Sequence, residues 1–232
     1  MADRFYTPDP LGPGEYVLEG AEAHHLVAVR RKAEGAEVVL FNGDGHEYPS
    51  QVLSVGKRTV ILTVLAPVAV NRELPFPLVV GSALPKGDRA DFLIEKLTEL
   101  GVTRFVPLLT TRAVVQPKAS VVEKFQRAVI EASKQCGRNR LMHIDPPQKW
   151  GDFVSRTDLP GVCVVLHTGP GLAQVNAKGG TVGIGPEGGF TELEVAEAVT
   201  HGWSVASLGT RVLRVETAAL AVAALFGTPL SK

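Results

Sequence analysis

The stretch Thr181-Val182-Gly183-Ile184-Gly185-Pro186-Glu187-Gly188-Gly189-Phe190-Thr191-Glu192-Leu193-Glu194 decides how the rest of this chain is read. It opens as a short apolar strand, turns through glycines and a proline, and reaches Thr191, a residue suited to cap the free amides of a new helix. Glycine has no Cβ and tolerates positive φ, so such a strand-to-helix turn lets a ligand approach the backbone closely. Gly183-x-Gly185-x-x-Gly188 also satisfies the spacing of the dinucleotide fingerprint. Its context does not: that motif needs an early βαβ unit and an acidic residue about twenty positions later for the ribose, and here that place is taken by Ser204 to Leu208. Pro186 removes an amide donor, and no Gly-Lys-Ser/Thr follows, which excludes a P-loop. From this loop alone, a glycine turn without a ligand remains the alternative.

A second stretch, Leu208-Gly209-Thr210-Arg211-Val212-Leu213-Arg214-Val215-Glu216-Thr217-Ala218, follows in the sequence. With the glycine turn it resembles the C-terminal signature of the SPOUT-class methyltransferases. More narrowly, the two stretches resemble the bacterial family that methylates N3 of a uridine in 16S ribosomal RNA. Arg4-Phe5-Tyr6, His24-His25-Leu26 through Val29-Arg30-Arg31, Lys96 to Val102, and Glu131-Ala132 through Gln135 to Arg138 agree with that family, so the resemblance spans nearly the whole chain. Val215 departs from it, standing where the family pattern has threonine.

The resemblance implies an α/β protein: a C-terminal α/β trefoil-knot (SPOUT) domain over residues 78–232, preceded by a small all-β PUA-like barrel over 1–70, with a linker at 71–77. It implies S-adenosyl-L-methionine as cofactor, in a pocket of three loops: Leu166-His167-Thr168-Gly169, the Gly185 to Gly189 turn, and Leu208 to Thr217. The residues expected to line it are Leu166, His167, Ile184, Gly185, Pro186, Glu187, Gly188, Gly189, Leu208, Gly209, Leu213 and Thr217. A sulfonium methyl is already activated, so the protein must align it with its acceptor and remove a proton. Arg211 or Arg214 would stabilise a developing uridinate, with Glu216 orienting the arginine or accepting the proton; an Arg–Glu pair that merely closes the loop is the alternative. Arg4, His25, Arg30 and Arg31, with Arg127, Lys134 and Arg138, are the expected RNA contacts. The implied partners are 16S ribosomal RNA within the small subunit and a second copy of the chain in a homodimer. Other readings are a methyltransferase for another RNA position, such as a ribose 2′-hydroxyl, and a non-catalytic RNA-binding assembly factor.

Composition sets wider limits. The 232 residues are 45% hydrophobic, enough for one large or two small domains with proper cores. Formal charge is zero, with 24 basic and 24 acidic side chains, so any RNA footprint must be a local patch. Residues 1–70 hold six basic and nine acidic groups, leaving 18 and 15 for the remainder, a weak skew toward a basic C-terminal part. Two cysteines, Cys136 and Cys163, with no charged-then-apolar leader, read as free thiols of a reducing cytoplasm. The longest apolar stretch, Ala218 to Phe226, is far short of the roughly twenty residues of a membrane span. No metal is expected, since His24-His25 has no further ligand at a useful spacing.

Periodicity places strands at Glu15–Leu18, Glu37–Phe41, Gln51–Val55 and Thr59–Leu65, with hairpin signals in Asn42-Gly43-Asp44-Gly45 and Gly56-Lys57. From pattern alone an OB-like barrel would serve as well as a PUA-like one. Beyond Asn71 to Pro77, apolar runs at Leu78–Leu84, Phe105–Leu109, Val162–Leu166 and Val182–Ile184 alternate with helical stretches, which predicts an α/β sheet. A helix over Asp88–Leu100 should stop at Gly101. Between Lys118 and Arg138 one face is apolar, and Lys124, Arg127, Glu131, Lys134 and Arg138 form a separate, mostly basic stripe whose usual meaning is a solvated surface. Arg30-Arg31-Lys32 could equally be the basic end of a short helix after Glu22.

Overall fold

The computed structural model describes residues 3–167 and 179–227. They form two compact units, Met1–Glu73 with Ser133–Leu141, and Leu74–Ala132 with Met142–Lys232.

The first unit begins with β1 (Arg4–Tyr6) and β2 (Gly14–Glu19), then α1 (Gly20–His24), which continues as a π-helical turn over His25–Val29. β3 (Glu37–Phe41), β4 (His46–Val55), β5 (Thr59–Val64) and β6 (Val68–Ala69) follow. Strand order is β1-β3-β4-β5-β2 with β6 beside β4, a curled half-barrel that ends in two edges rather than closing. Gly43 and Gly45 turn the β3–β4 connection with φ of 93° and 103°, conformations that side chains beyond Cα resist. β4 runs five residues further back than its apolar pattern suggested and carries Pro49 in its middle. The proline is tolerated because it pairs with Val39 in register while its carbonyl accepts the Leu65 amide at 2.8 Å. Phe5, Leu18, Leu26, Leu40, Val52 and Leu62 fill the core.

A buried ion network fastens Ser133–Leu141 into this unit. Arg4 donates to Glu47 at 2.5 Å and to the Asn139 side chain at 2.5 Å, and Arg138 donates to both oxygens of Glu73. Arg72 links Glu47 to the Gly137 carbonyl. Burial would raise the Glu47 carboxyl, but the bonds from Arg72 and Arg4 outweigh it and hold the group below its ordinary range.

The second unit contains β7 (Leu78–Ser82), α2 (Arg89–Glu99), β8 (Arg104–Leu109), all but the last four residues of α3 (Val121–Cys136), β9 (His143–Ile144), β10 (Gln148–Lys149), α4 (Trp150–Val154), β11 (Val162–Leu166), β12 (Gly180–Ile184), α5 (Glu192–Thr200), β13 (Ser204–Ala206) and α6 (Val215–Gly227). All its strand pairs are parallel, in the order β10-β8-β7-β12-β11-β13 with β9 beside β8. Every pair of a parallel sheet needs a crossover, which accounts for the alternation of apolar runs with helices. α2 ends where expected: Gly101 has φ +83°, and the Val102 amide reaches back to the Leu97 carbonyl at 3.0 Å, as in a Schellman cap. Aromatic rings pack directly on the strands. A Cβ at Gly81 would lie 2.5 Å from the Phe153 ring, and one at Gly183 would lie 2.6 Å from Trp150. Gly183 therefore serves the core, not a nucleotide.

Candidate cofactor pocket

In a parallel sheet, ligands bind beyond the carboxyl ends of the strands, where the loops have no further structural duty. Here β11, β12 and β13 end at Leu166, Ile184 and Ala206, and the segments that follow enclose a cavity of about 270 Å³. Leu166, His167, Ile184, Gly185, Pro186, Glu187, Gly188, Gly189, Leu208, Gly209 and Leu213 all line it. Arg211 lines it too, with Ser207, Val212, Val215 and Ala218. Thr168 and Gly169 lie outside the described residues.

Each loop has a local reason for its shape. The Gly189 amide closes a turn onto the Pro186 carbonyl at 2.8 Å, and Gly189 itself has φ +69°. Thr191 caps α5 in a reciprocal box: its hydroxyl accepts the Glu194 amide at 3.2 Å, and the Glu194 carboxylate accepts the Thr191 amide at 2.8 Å. Phe190 is buried against Trp150, with ring centroids 4.2 Å apart. In the third loop, the Ser207 hydroxyl donates to the Gly209 carbonyl at 3.0 Å and accepts its amide at 3.2 Å. Ser207 was missed by the sequence reading, although a serine two before glycine is a local turn signal. Val215 is buried and gives the pocket an apolar wall.

Several expected residues are elsewhere. Thr217 is exposed and does not line the cavity: Val215 and Ala218, three apart on α6, present one face to it, and Thr217 lies on another. Arg214 is exposed and outside the lining. Glu216 is buried, and the arginine it meets is neither Arg211 nor Arg214 but Arg89, whose Nη1 lies 3.4 Å from Oε1. Its Oε2 is buried with no hydrogen-bond partner among the described residues. Arg89 sits at the start of α2, 127 positions away in sequence, and no local pattern marks it.

The expected RNA contacts also divide. Arg4 and Arg138 are 7% and 3% exposed and committed to Glu47 and Glu73, so they are internal struts, not phosphate ligands. Lys134 is half-buried and paired with Glu22 at 2.8 Å, and the half-buried His25 ring meets Phe5 edge-on and lies 3.4 Å from Lys134 Nζ. The basic stripe of α3 is therefore two things: Arg127 is exposed, while Lys134 is consumed by an acidic partner. Arg30 and Arg31 are exposed, with Arg30 Nε 3.4 Å from Asp3. Arg31 holds φ 52°, a left-handed conformation uncommon for a side chain of its size. Among the described residues, no group of three or more His, Cys, Asp or Glu could hold a metal ion, and no helix is long and apolar enough to cross a membrane.

The pocket suits an adenosyl compound. Its walls combine apolar Leu166, Ile184, Leu208 and Leu213 with glycines that leave main-chain donors and acceptors unshielded. Comparisons with known proteins agree. The model of an RNA methyltransferase domain matches residues 72–227, and that of an RNA methyltransferase PUA domain matches 18–65. Ribosomal RNA small subunit methyltransferase E of Synechocystis is 34% identical, covering 91% of this chain and 72% of that one, and the Bacillus subtilis protein of the same name is 33% identical, covering 88% and 86%. Among solved structures, a putative methyltransferase from Legionella pneumophila with bound S-adenosylmethionine has a TM-score of 0.88 at 30% identity, covering 97% of both chains. Ribosomal RNA small subunit methyltransferase E from Neisseria gonorrhoeae, bound to S-adenosyl methionine, has a TM-score of 0.87 at 29% identity, covering 97% and 96%.

Proposed function

The chain belongs to the RNA methyltransferase family, and from that premise we propose that it transfers the methyl group of S-adenosylmethionine to N3 of one uridine in the 16S RNA of the small ribosomal subunit. The observation that carries this is the convergence of three C-terminal strand ends on one glycine-rich, apolar-walled cavity in a chain similar to two solved proteins that bind S-adenosylmethionine. When bound, that cofactor supplies an activated methyl group; the chain supplies alignment, charge and a path for the proton.

Uridine N3 is protonated at neutral pH, so a cation beside the reacting base favours the form that can accept the methyl. Arg211 is the guanidinium on the cavity wall, and we assign it this role; Arg214, next along the same exposed loop, is assigned to holding the RNA at the entrance. Glu216 follows the cavity-lining Val215 in sequence without itself lining the cavity; it has one oxygen on Arg89 and one buried without a partner among the described residues. The second oxygen is the seat we assign to the departing proton.

Arg30, Arg31 and Arg127, all exposed, are the proposed phosphate contacts. The proposal includes a homodimer, supported by exposed Phe92, Val212 and Leu225 on and near the packed pair α2 and α6, and by the family resemblance, which also supplies the trefoil path and a cytoplasmic location. Incubation with tritiated S-adenosylmethionine and small subunits lacking the modification tests the function. Label recovered as N3-methyluridine is the expected result; label on a ribose would change the target, and no label on subunits or naked RNA would favour a binding protein.

A further inference from the structure

Three of the five residues from Gly185 to Gly189 are glycines, so this loop loses more backbone freedom on ordering than most and must be held from outside. The holding groups come from the segment after β8. Arg112 donates from Nη1 to the Gly188 carbonyl at 2.9 Å and to the Phe190 carbonyl at 3.4 Å. Its aliphatic stem lies alongside Gly188, where a Cβ would make ordinary contact at 3.4 Å from Arg112 Cβ. One residue earlier, the Thr111 amide donates to Glu194 Oε1 at 2.8 Å, while Glu194 Oε2 accepts the amide and hydroxyl of Thr191 at 2.8 and 3.0 Å. Glu194 is 7% exposed, and its own carbonyl accepts the Trp150 indole N–H at 2.8 Å, so the carboxylate is anchored to the core. One buried carboxylate and one guanidinium thus stitch the segment after β8 to the C-terminal end of the glycine loop, from Gly188 to Thr191.

We propose that Arg112 and Glu194 are positioning residues that hold the Gly185–Gly189 loop in its cofactor-binding form by fastening it to Thr111 and Arg112. The proposal rests on the assignment of that cavity to S-adenosylmethionine. Arg112 is exposed, and its acceptors are loop carbonyls outside helix and sheet. Its removal therefore changes global stability little while releasing a loop that lines the pocket. Neither residue touches the reacting atoms, so a defect should appear in cofactor affinity and not in the rate of the loaded enzyme.

The test is calorimetric titration of the full chain with S-adenosylmethionine, paired with kinetics. Arg112→Ala should raise Kd and the cofactor KM about tenfold, the effect of losing one charge-assisted hydrogen bond, with kcat at saturating cofactor within about twofold of wild type. Arg112→Lys, which keeps a cationic donor, should recover part of the loss, and Glu194→Gln, which turns one acceptor into a donor against an N–H, should weaken binding as Arg112→Ala does. Equal cofactor affinity of Arg112→Ala and wild type would overturn the proposal, as would unchanged cofactor affinity with weakened binding of ribosomal RNA, which would make Arg112 an RNA ligand. Failure of the wild-type chain to bind S-adenosylmethionine at all would instead remove the parent assignment.

Discussion

Arg4 and Arg138 in the first unit and Arg211 and Arg214 in the second are the same residue type with opposite fates. The first two are nearly inaccessible and gripped by Glu47 and Glu73; the other two are exposed on a loop at or beside a ligand cavity. Nothing in the immediate neighbours of either pair announces the difference. It is decided by acids 43 and 65 positions away in sequence. A basic residue in a motif marks a charge, and only the tertiary partner determines whether that charge is available to RNA or spent inside the protein.

The largest test of this contrast is Arg138→Ala. It strands the Glu73 carboxylate in a largely buried site and should cost about 3 kcal/mol in denaturant unfolding, because breaking a buried pair leaves an uncompensated charge. If stability is unchanged and the salt dependence of RNA binding falls instead, Arg138 belongs with the phosphate contacts after all. Next is Arg211→Ala, expected to lower single-turnover methyl transfer about a hundredfold, as removal of one preorganised charge stabiliser does, with unfolding free energy within about 0.5 kcal/mol of wild type. An intact rate would move the catalytic charge to another residue.

Gly183→Ala separates the two uses of glycine on β12 and its loop. The added methyl meets Trp150 and should cost about 1–3 kcal/mol without a selective loss of cofactor affinity, whereas Gly188, beneath Arg112, should show the converse. Smallest is Arg31→Gly. Loss of one phosphate contact should reduce the slope of log affinity against log salt by about one unit, while stability holds or rises by about 1 kcal/mol because glycine relieves the left-handed backbone. An unchanged slope would leave Arg31 as a turn residue only.

Acid should act on the clasp between Thr111, Thr191 and Glu194. Burial would raise the Glu194 carboxyl, but the amides of Thr191 and Thr111 and the Thr191 hydroxyl outweigh it and hold the group below its ordinary value of 4.5. A folded-state value below the unfolded one gives stabilisation that is complete above 4.5 and disappears as pH falls through the lower, folded value. Unfolding followed from pH 6 downward should show this acid loss in wild type and a shallower one in Glu194→Gln; parallel curves would remove Glu194 from the set of acid-sensitive groups.

Much of the second unit was legible because its strands are continuous apolar runs and its helices are bounded by strong signals, Gly101 and Thr191 above all. The cavity was legible because glycine loops announce close approach and because the family resemblance joined two distant motifs. What escaped was short or tertiary. β9, β10 and α4 span two, two and five residues, below the window in which periodicity has meaning. The strand expected at Gln51–Val55 begins five residues earlier, over a stretch from His46 to Ser50 that mixes polar residues with Pro49 and shows no apolar alternation. Arg89 and Arg112 were invisible because their partners lie 127 and 76 positions away.

The most direct measurement is the N3-methyluridine content of 16S ribosomal RNA, digested to nucleosides and identified by mass, from cells deleted for this protein and complemented with wild type or Arg211→Ala. Uridine-N3 methylation by this chain, with Arg211 as its catalytic charge, requires loss of the modified nucleoside on deletion, full return with wild type, and little or no return with Arg211→Ala despite equal amounts of folded protein. Unchanged N3-methyluridine after deletion, or complete restoration by Arg211→Ala, would contradict it.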